Sequence, residues 1–304
     1  MSMRLQKQVA LAPLSTFHIG GYAEYFVSVQ TSEDLIAAVL AARRPRMPYK
    51  ILAGGSNVVF PDETLPGLLI RIRGGESRFC ATRCCADAGV KLASVIRESL
   101  RRGLEGLEAL SGIPGTIGGA IVGNAGAYGH SIAEVVDKVE IWDGRSRRWL
   151  APSGCQFRYR ESVFKEKPYL VLRVVLKFRH GDARALQRTS QEIIRKRLQK
   201  YKPGLRCPGS FFKNVLVSEV SKRSLARIDR GKIIAGKIPA GYLLEQVGAK
   251  GMRVGGIVIA KFHGNLFINQ NHGTAEDVRR LARVLKKRVR RKFGIALEEE
   301  IRYF

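Results

Sequence analysis

Apolar residues recur every three or four positions in four stretches of the chain, and each reads as an amphipathic helix. TSEDLIAAVLAARRP (31–45) has Thr31 or Ser32 as cap, acidic Glu33 and Asp34 in its first turn, and Pro45 as its stop. Leu35, Ile36, Val39 and Leu40 form its stripe. VKLASVIRESLRRG (90–103) ends at a glycine, a common helix terminator. ARALQRTSQEIIRKRLQKY (185–201) is a helix placed to bridge two domains. TAEDVRRLARVLKKRVRRKFG (274–294) has Thr274 as cap and Asp277 at the capping-box position. Val278, Leu281, Val284, Leu285 and Val289 form its expected buried face.

Other apolar runs carry no helical period. PYKILAGGSNVVF (48–60) reads as a strand, a glycine turn and further apolar chain, and GLLIRIRG (67–74) as a second strand. EVVDKVEIWDG (134–144) and YLVLRVVLKFRHG (169–181) are strands, with CQFRYRESVFK (155–165) expected to be irregular between them. IPAGYLLEQVGAKGMRVGGIVIAKFHGNLFINQ (238–270) reads as a helix, a glycine turn and two strands, and EEEIRYF closes the chain as a short strand. No internal repeat or low-complexity segment appears.

One stretch fits neither period: SGIPGTIGGAIVGNAGAYG (111–129). Glycine is chosen where φ must be positive or where backbone must approach something closely. A linker would be more polar, and Ile113, Ile117, Ile121 and Val122 mark this segment as packed. Composition favours a ligand lying on the backbone over structural packing and leaves both open. LAGGSN (52–57) is a strand running into small residues, where successive N–H groups can form a phosphate-binding nest. It is neither a Walker motif nor a G-x-G-x-x-G fingerprint. GSFFKN (209–214) sets a serine among aromatics; alone, it reads as a turn serine, and no G-x-S-x-G elbow is present.

The chain has 304 residues, enough for two or three domains, and 45% of them are apolar. No apolar run is long enough to span a bilayer, so no membrane insertion is expected. MSMRLQKQVALAPLSTF lacks a signal-peptide pattern, which makes the cytoplasm the default. The five cysteines are odd in number, so a disulfide framework is not expected. The thiols of FCATRCC (79–85) read as buried or half-buried, and no metal site is expected. The formal charge of +27 points to polyanions, to phosphorylated small molecules, or to nothing beyond a basic proteome. RRLARVLKKRVRRKFG (279–294) is basic enough to suggest a nucleic-acid-binding protein, but no helix-turn-helix, RNA-binding or zinc signature accompanies it. Its cations fit the solvated face of an amphipathic helix, and no nucleic-acid partner is expected.

STFHIGG (15–21), LAGGSN (52–57), GLEGLEALSGIPGTIGGAIVGNAGAYG (103–129), FRYRESVFK (157–165), GSFFKN (209–214), IPAGYLLEQVGAKGMRVGG (238–256) and LEEEIRYF (297–304) follow one another in the order found in the UDP-N-acetylenolpyruvoylglucosamine reductases, the MurB-type flavoenzymes of peptidoglycan synthesis. The chain resembles this family over nearly its whole length. The short connection between Arg160 and Ser210 resembles the compact subtype.

The resemblance implies an α+β fold: a two-part FAD-binding scaffold of the vanillyl-alcohol-oxidase/PCMH type and a C-terminal α/β substrate-binding domain. The expected boundaries are 1–72 and 73–199 for the two FAD-binding parts, with the strand 295–304 returning to the second, and 200–294 for the UDP-sugar domain. Non-covalent FAD, NADPH as hydride donor, UDP-N-acetylglucosamine enolpyruvate as substrate and a monomeric protein are implied. For cofactor binding, the resemblance implies Ala53, Gly54, Gly55, Ser56 and Asn57 in the phosphate loop. It adds Gly112, Ile113, Pro114, Gly115, Gly118, Gly119, Asn124, Ala125 and Gly126 along the flavin and its pyrophosphate. Ser210 matches the proton donor. Arg160 and Glu300 match the groups that polarise the enolpyruvyl carboxylate, with Glu298 and Glu299 as near competitors. Tyr159, Asn214 and Lys250 match substrate-binding positions. Ala53, Pro208 and the segment 261–269 depart from the family pattern. Another FAD-dependent oxidoreductase on the same scaffold is the nearest alternative.

Overall fold

The computed structural model describes residues 4–304. Their packing separates two compact units, one formed by residues up to Gln8, Glu24–Gly54 and Pro66–Gln199, the other by Val9–Ala23, Gly55–Leu65 and Lys200–Phe304.

The first unit holds a five-stranded sheet and most of a four-stranded one. The four-stranded sheet has the order Gln6–Ala10, Tyr22–Val29, Leu65–Ile72, Tyr49–Leu52, and its last two strands are parallel. The helix Ser32–Arg43 begins where Thr31 Oγ1 accepts the Asp34 amide at 3.0 Å. Its Leu35, Ala38, Val39 and Ala42 share a core with Val27, Val29, Leu68 and Ile70. The second sheet is antiparallel throughout, in the order Arg147–Leu150, Val136–Trp142, Leu170–Lys177, Arg83–Asp87, Ser77–Cys80. The helices Leu92–Arg101 and Ala183–Lys200 lie where the helical period placed them. One apolar cluster joins residues of 1–72 and 73–199, so the two expected parts share a core. On the hairpin Ser77–Cys80/Arg83–Asp87, Cys84 is buried, Cys85 half-buried and Cys80 exposed. Burial pushes the Cys84 thiol up to about 12, which keeps it protonated.

Residues 155–165 are more regular than expected. The helices Pro152–Cys155 and Val163–Glu166 flank a tight turn in which Arg158 and Glu161 exchange backbone hydrogen bonds at 3.0 Å.

In the second unit, three antiparallel strands, Arg253–Val254, Ile257–Ile259 and Phe267–Asn269, pack against the helix Ala275–Phe293. Both halves of the expected capping box form: Thr274 Oγ1 accepts from the Asp277 amide, and the Asp277 carboxylate accepts from the Thr274 amide. The Asp62 carboxylate takes the next two amides, Ala275 at 2.7 Å and Glu276 at 3.2 Å. Val278, Leu281, Leu285 and Val289 are buried as expected. Val284 is not: it is 39% exposed, and Ala282 fills the stripe in its place. Helical residues step by about 100°, so Val284 turns off the line through Leu281 and Leu285. The C-terminal strand Arg302–Tyr303 pairs parallel with Val58–Val59 in this unit, not with 73–199 as expected. Val58 and Val59 sit one turn past the glycine loop, in a run too short for its sheet partner to be read from pattern.

Leu285→Ala should therefore destabilise the second unit by about 2–5 kcal/mol, whereas Val284→Ala should stay within about 0.5 kcal/mol of wild type. Urea unfolding followed by circular dichroism separates the two.

Candidate active site

The expected site residues divide between the units. Ala53, Gly54, Gly112, Ile113, Pro114, Gly115, Gly118, Gly119, Asn124, Ala125, Gly126, Tyr159 and Arg160 belong to the first; Gly55, Ser56, Asn57, Ser210, Asn214, Lys250 and Glu300 belong to the second.

In the first unit the strand Tyr49–Leu52 delivers Ala53 and Gly54 to the glycine-rich stretch. A Cβ on Gly54 would stand 2.6 Å from the Gly115 Cα, so the two backbones touch where no side chain fits. Ala53 departs from the family's usual glycine at little cost. Its methyl faces Gly119, whose own lack of a side chain leaves the room. The stretch is not a free loop. Thr116 Oγ1 accepts the Gly119 amide and starts the short helix Ile117–Val122, while the Ile117 and Gly118 amides donate to Val90 and Ala88 carbonyls at 2.9 and 2.8 Å. Asn124 is buried. Its Nδ2 donates to the Arg158 carbonyl at 2.9 Å, and its Oδ1 has no hydrogen-bond partner among the described residues. Gly126–Ala127 turns back on His130–Ser131 as a two-residue hairpin. Arg160 holds a left-handed backbone at φ 58° in the tight turn, beside the Tyr159 ring. Lys165 Nζ donates to its carbonyl at 2.6 Å. A non-glycine residue at positive φ is strained, and such residues concentrate at functional sites.

In the second unit Gly55 has φ +68°, and a Cβ there would fall 2.0 Å from the Leu14 carbonyl oxygen. Glycine is obligatory at that position. Thr16 ties the loop together: its amide donates to the Gly55 carbonyl, and its hydroxyl donates to the Cys207 carbonyl at 2.8 Å, with the Ser56 carbonyl at 3.4 Å as the weaker acceptor of the same proton. Asn57 Nδ2 donates to the Glu300 carbonyl at 3.1 Å. The segment Ser210–Lys213 lies between two chain segments, with Ser210 bridged to Leu266 and Phe212 to Glu299. Ser210 Oγ accepts from Lys200 Nζ at 3.2 Å and shares a hydrogen bond with the Tyr201 hydroxyl at 3.1 Å. The carboxylates of the C-terminal run have different partners. Glu298 pairs with Lys213 and Glu299 with Lys286, both at 2.5 Å, while the Glu300 amide donates to the Phe211 carbonyl at 2.8 Å. Asn214 Oδ1 accepts the Ala240 amide at 3.1 Å, and Lys250 pairs with Glu245 at 2.8 Å.

Sequence reasoning passed over Lys200, Tyr201 and Asn265, and met His263 only as part of the departure at 261–269. Asn265 grips both backbone groups of Phe212, accepting its amide and donating to its carbonyl at 2.8 Å each. The His263 ring packs against Gly241, and its Nδ1 accepts the Asn265 amide at 3.1 Å. The departure at 261–269 is thus the wall that holds the Ser210 segment. Burial, with the Lys200 charge adding to it, pulls the His263 imidazole down to about 4.

The sequence profile of the UDP-N-acetylenolpyruvoylglucosamine reductase C-terminal domain matches residues 199–304, and that of an FAD binding domain matches 23–148. A reductase of that name from Solibacter usitatus is 41% identical over 97% of this chain and 96% of its own. The chain belongs to the UDP-N-acetylenolpyruvoylglucosamine reductase family. Another member, from Synechococcus, is 35% identical over 99% of this chain and 92% of its own. The crystal structure of the reductase from Thermus caldophilus superposes with a TM-score of 0.78 at 31% identity, covering all of both chains. The α+β class, an FAD-binding scaffold followed by the family's C-terminal domain, accords with these matches.

The residues present fit the FAD that the family binds: Asn124 Oδ1 is a buried acceptor without a partner among the described residues, and Gly54 and Gly115 approach with no side chain between them.

The His263 shift sets a pH dependence. As pH falls, the unfolded chain protonates this imidazole near 6.5 and the folded one only near 4. The unfolded state binds more protons in that window, so stability is full above it and declines as pH drops through it. His263→Asn should flatten that decline, measured as urea midpoints from pH 7 to pH 4.

Proposed function

We propose that Ser210, Arg160 and Glu300 are the working groups with which this chain reduces the enolpyruvyl group of UDP-N-acetylglucosamine enolpyruvate to give UDP-N-acetylmuramate. The chemistry that FAD supplies when bound is a two-electron relay from NADPH to the enolpyruvyl double bond. Hydride addition leaves negative charge on the neighbouring carbon, delocalised into the carboxylate, and Ser210 gives that carbon its proton. Arg160 and Glu300 engage the carboxylate, with Glu300 sharing a proton, and offset the developing charge. Tyr159, Asn214 and Lys250 hold the UDP-sugar. The Lys250–Glu245 pair is exposed, and a phosphate competes well for such a cation.

The observation that carries this reading is the setting of Ser210. An ammonium at 3.2 Å occupies a lone pair of its oxygen, so the hydroxyl proton is directed elsewhere, and the same charge stabilises the oxyanion left after proton donation. Tyr201, at 3.1 Å, returns a proton to it. A turn serine needs neither neighbour. Residues 1–72 and 73–199 serve as the two FAD-binding parts and 200–294 as the UDP-sugar domain. The protein acts in the cytoplasm as a monomer and supports peptidoglycan synthesis, and through it cell shape and division.

Anaerobic stopped-flow absorbance tests the assignment. Ser210→Ala should keep flavin bleaching by NADPH within about twofold of wild type and slow reoxidation by the enolpyruvyl substrate by at least about 100-fold. Reoxidation at the wild-type rate would remove Ser210 from the reaction.

A further inference from the structure

The strands Tyr49–Leu52 and Leu65–Ile72 run parallel, with Leu52 opposite Arg71. Parallel neighbours finish at the same edge of a sheet, and ligands of parallel sheets gather outside the carboxyl ends of the strands. The first of these strands leaves its end through Ala53 and Gly54, the start of the phosphate loop. The second ends in Arg71 and Ile72, and the exposed Arg73 follows directly after it.

Arg71 is half-buried. Its Nε is shut off from solvent with no hydrogen-bond partner, and among the described residues no carboxylate pairs with its guanidinium. Burial pulls that guanidinium below its ordinary value, and the Arg73 charge adds to the effect. Other arginines of this unit show the contrast: Arg173 and Arg147 both hold the buried Glu140 carboxylate, at 2.6 and 3.1 Å. A half-desolvated cation with no carboxylate beside it carries a cost that an apolar side chain on this strand would not.

We propose that Arg71, with Arg73 at its rim, is a subsite for the pyrophosphate of the flavin dinucleotide, acting beside the backbone loop that starts at Ala53. The proposal rests on the reading that residues 53–57 receive the cofactor phosphates. Arginine suits the role because its planar fork meets two phosphate oxygens at once.

The test is titration of apoprotein with FAD and with riboflavin, followed by flavin fluorescence, for wild type, Arg71→Gln and Arg71→Met. Loss of a charge-assisted contact should weaken FAD binding roughly ten- to a hundredfold in both variants and leave riboflavin, which has no phosphate, within about twofold. Thermal melts of the apoproteins give the second readout. Removing an unpaired desolvated cation should leave the apo Tm equal to or above wild type, while the rise in Tm on adding FAD shrinks. Unchanged FAD affinity, or an equal loss for riboflavin, overturns the proposal. A lower apo Tm in both variants, or failure of both to fold, makes Arg71 a structural residue and also overturns it. A wild-type protein that binds no FAD overturns the cofactor reading itself, which the variants alone cannot do.

Discussion

Two backbones meet at Gly54 and Gly115 with no room for a methyl group, and the first unit is arranged around that meeting. To bring Gly115 there, the chain uses the Gly115 carbonyl as acceptor for the Leu92 amide and the Thr116 hydroxyl as cap for the following helix turn. The Ile117 and Gly118 amides are spent on the 88–90 backbone. The glycine-rich stretch is therefore held from behind by hydrogen bonds and presents its front as bare main chain. Gly118 needs the same economy, since a side chain there would press on Ala88. A surface made of backbone in this way is rigid, because its hydrogen bonds are internal.

The second unit solves a different problem, that of keeping a hydroxyl in a fixed place among aromatic rings. Phe211 stacks on Phe267 at a centroid distance of 3.8 Å, Asn265 clamps Phe212, and the C-terminal run closes the other side through Glu298, Glu299 and Glu300. The polar side chains nearest the serine have partners. Lys213, nearly buried, is tied to Glu298, and Ser210 is met by Lys200 and Tyr201. Two partners on one hydroxyl restrict the directions in which Ser210 can point.

Much of this was legible in the chain. The helix Ala275–Phe293 carries its start in Thr274 and Asp277 and its stop in Gly294, and local signals of that kind survive into the fold. The strands Ser77–Cys80 and Arg147–Leu150 carry no such signal. Both are edge strands with mostly exposed residues, so no alternation marks them. The glycine-rich stretch announced close approach, but not what it approaches, because Gly54 lies far away in sequence. The motif order pointed to Ser210, while Lys200 read as one more cation at the end of a basic helix. Which of three consecutive glutamates takes which lysine depends on Lys213 and Lys286, residues that no local pattern connects to them.

The pairing of Arg302 and Tyr303 with Val58 and Val59 has a consequence for how the protein is made. The second unit draws on residues 9–23 and 55–65, which leave the ribosome early, and on residues up to 304, which leave late. The first unit has all its segments once Gln199 has been synthesised. The early pieces of the second must wait, exposed, through the synthesis of more than half the chain before their parallel partner exists. Contacts of such long sequence separation close slowly, which makes the second unit the one whose assembly depends on the most distant parts of the chain.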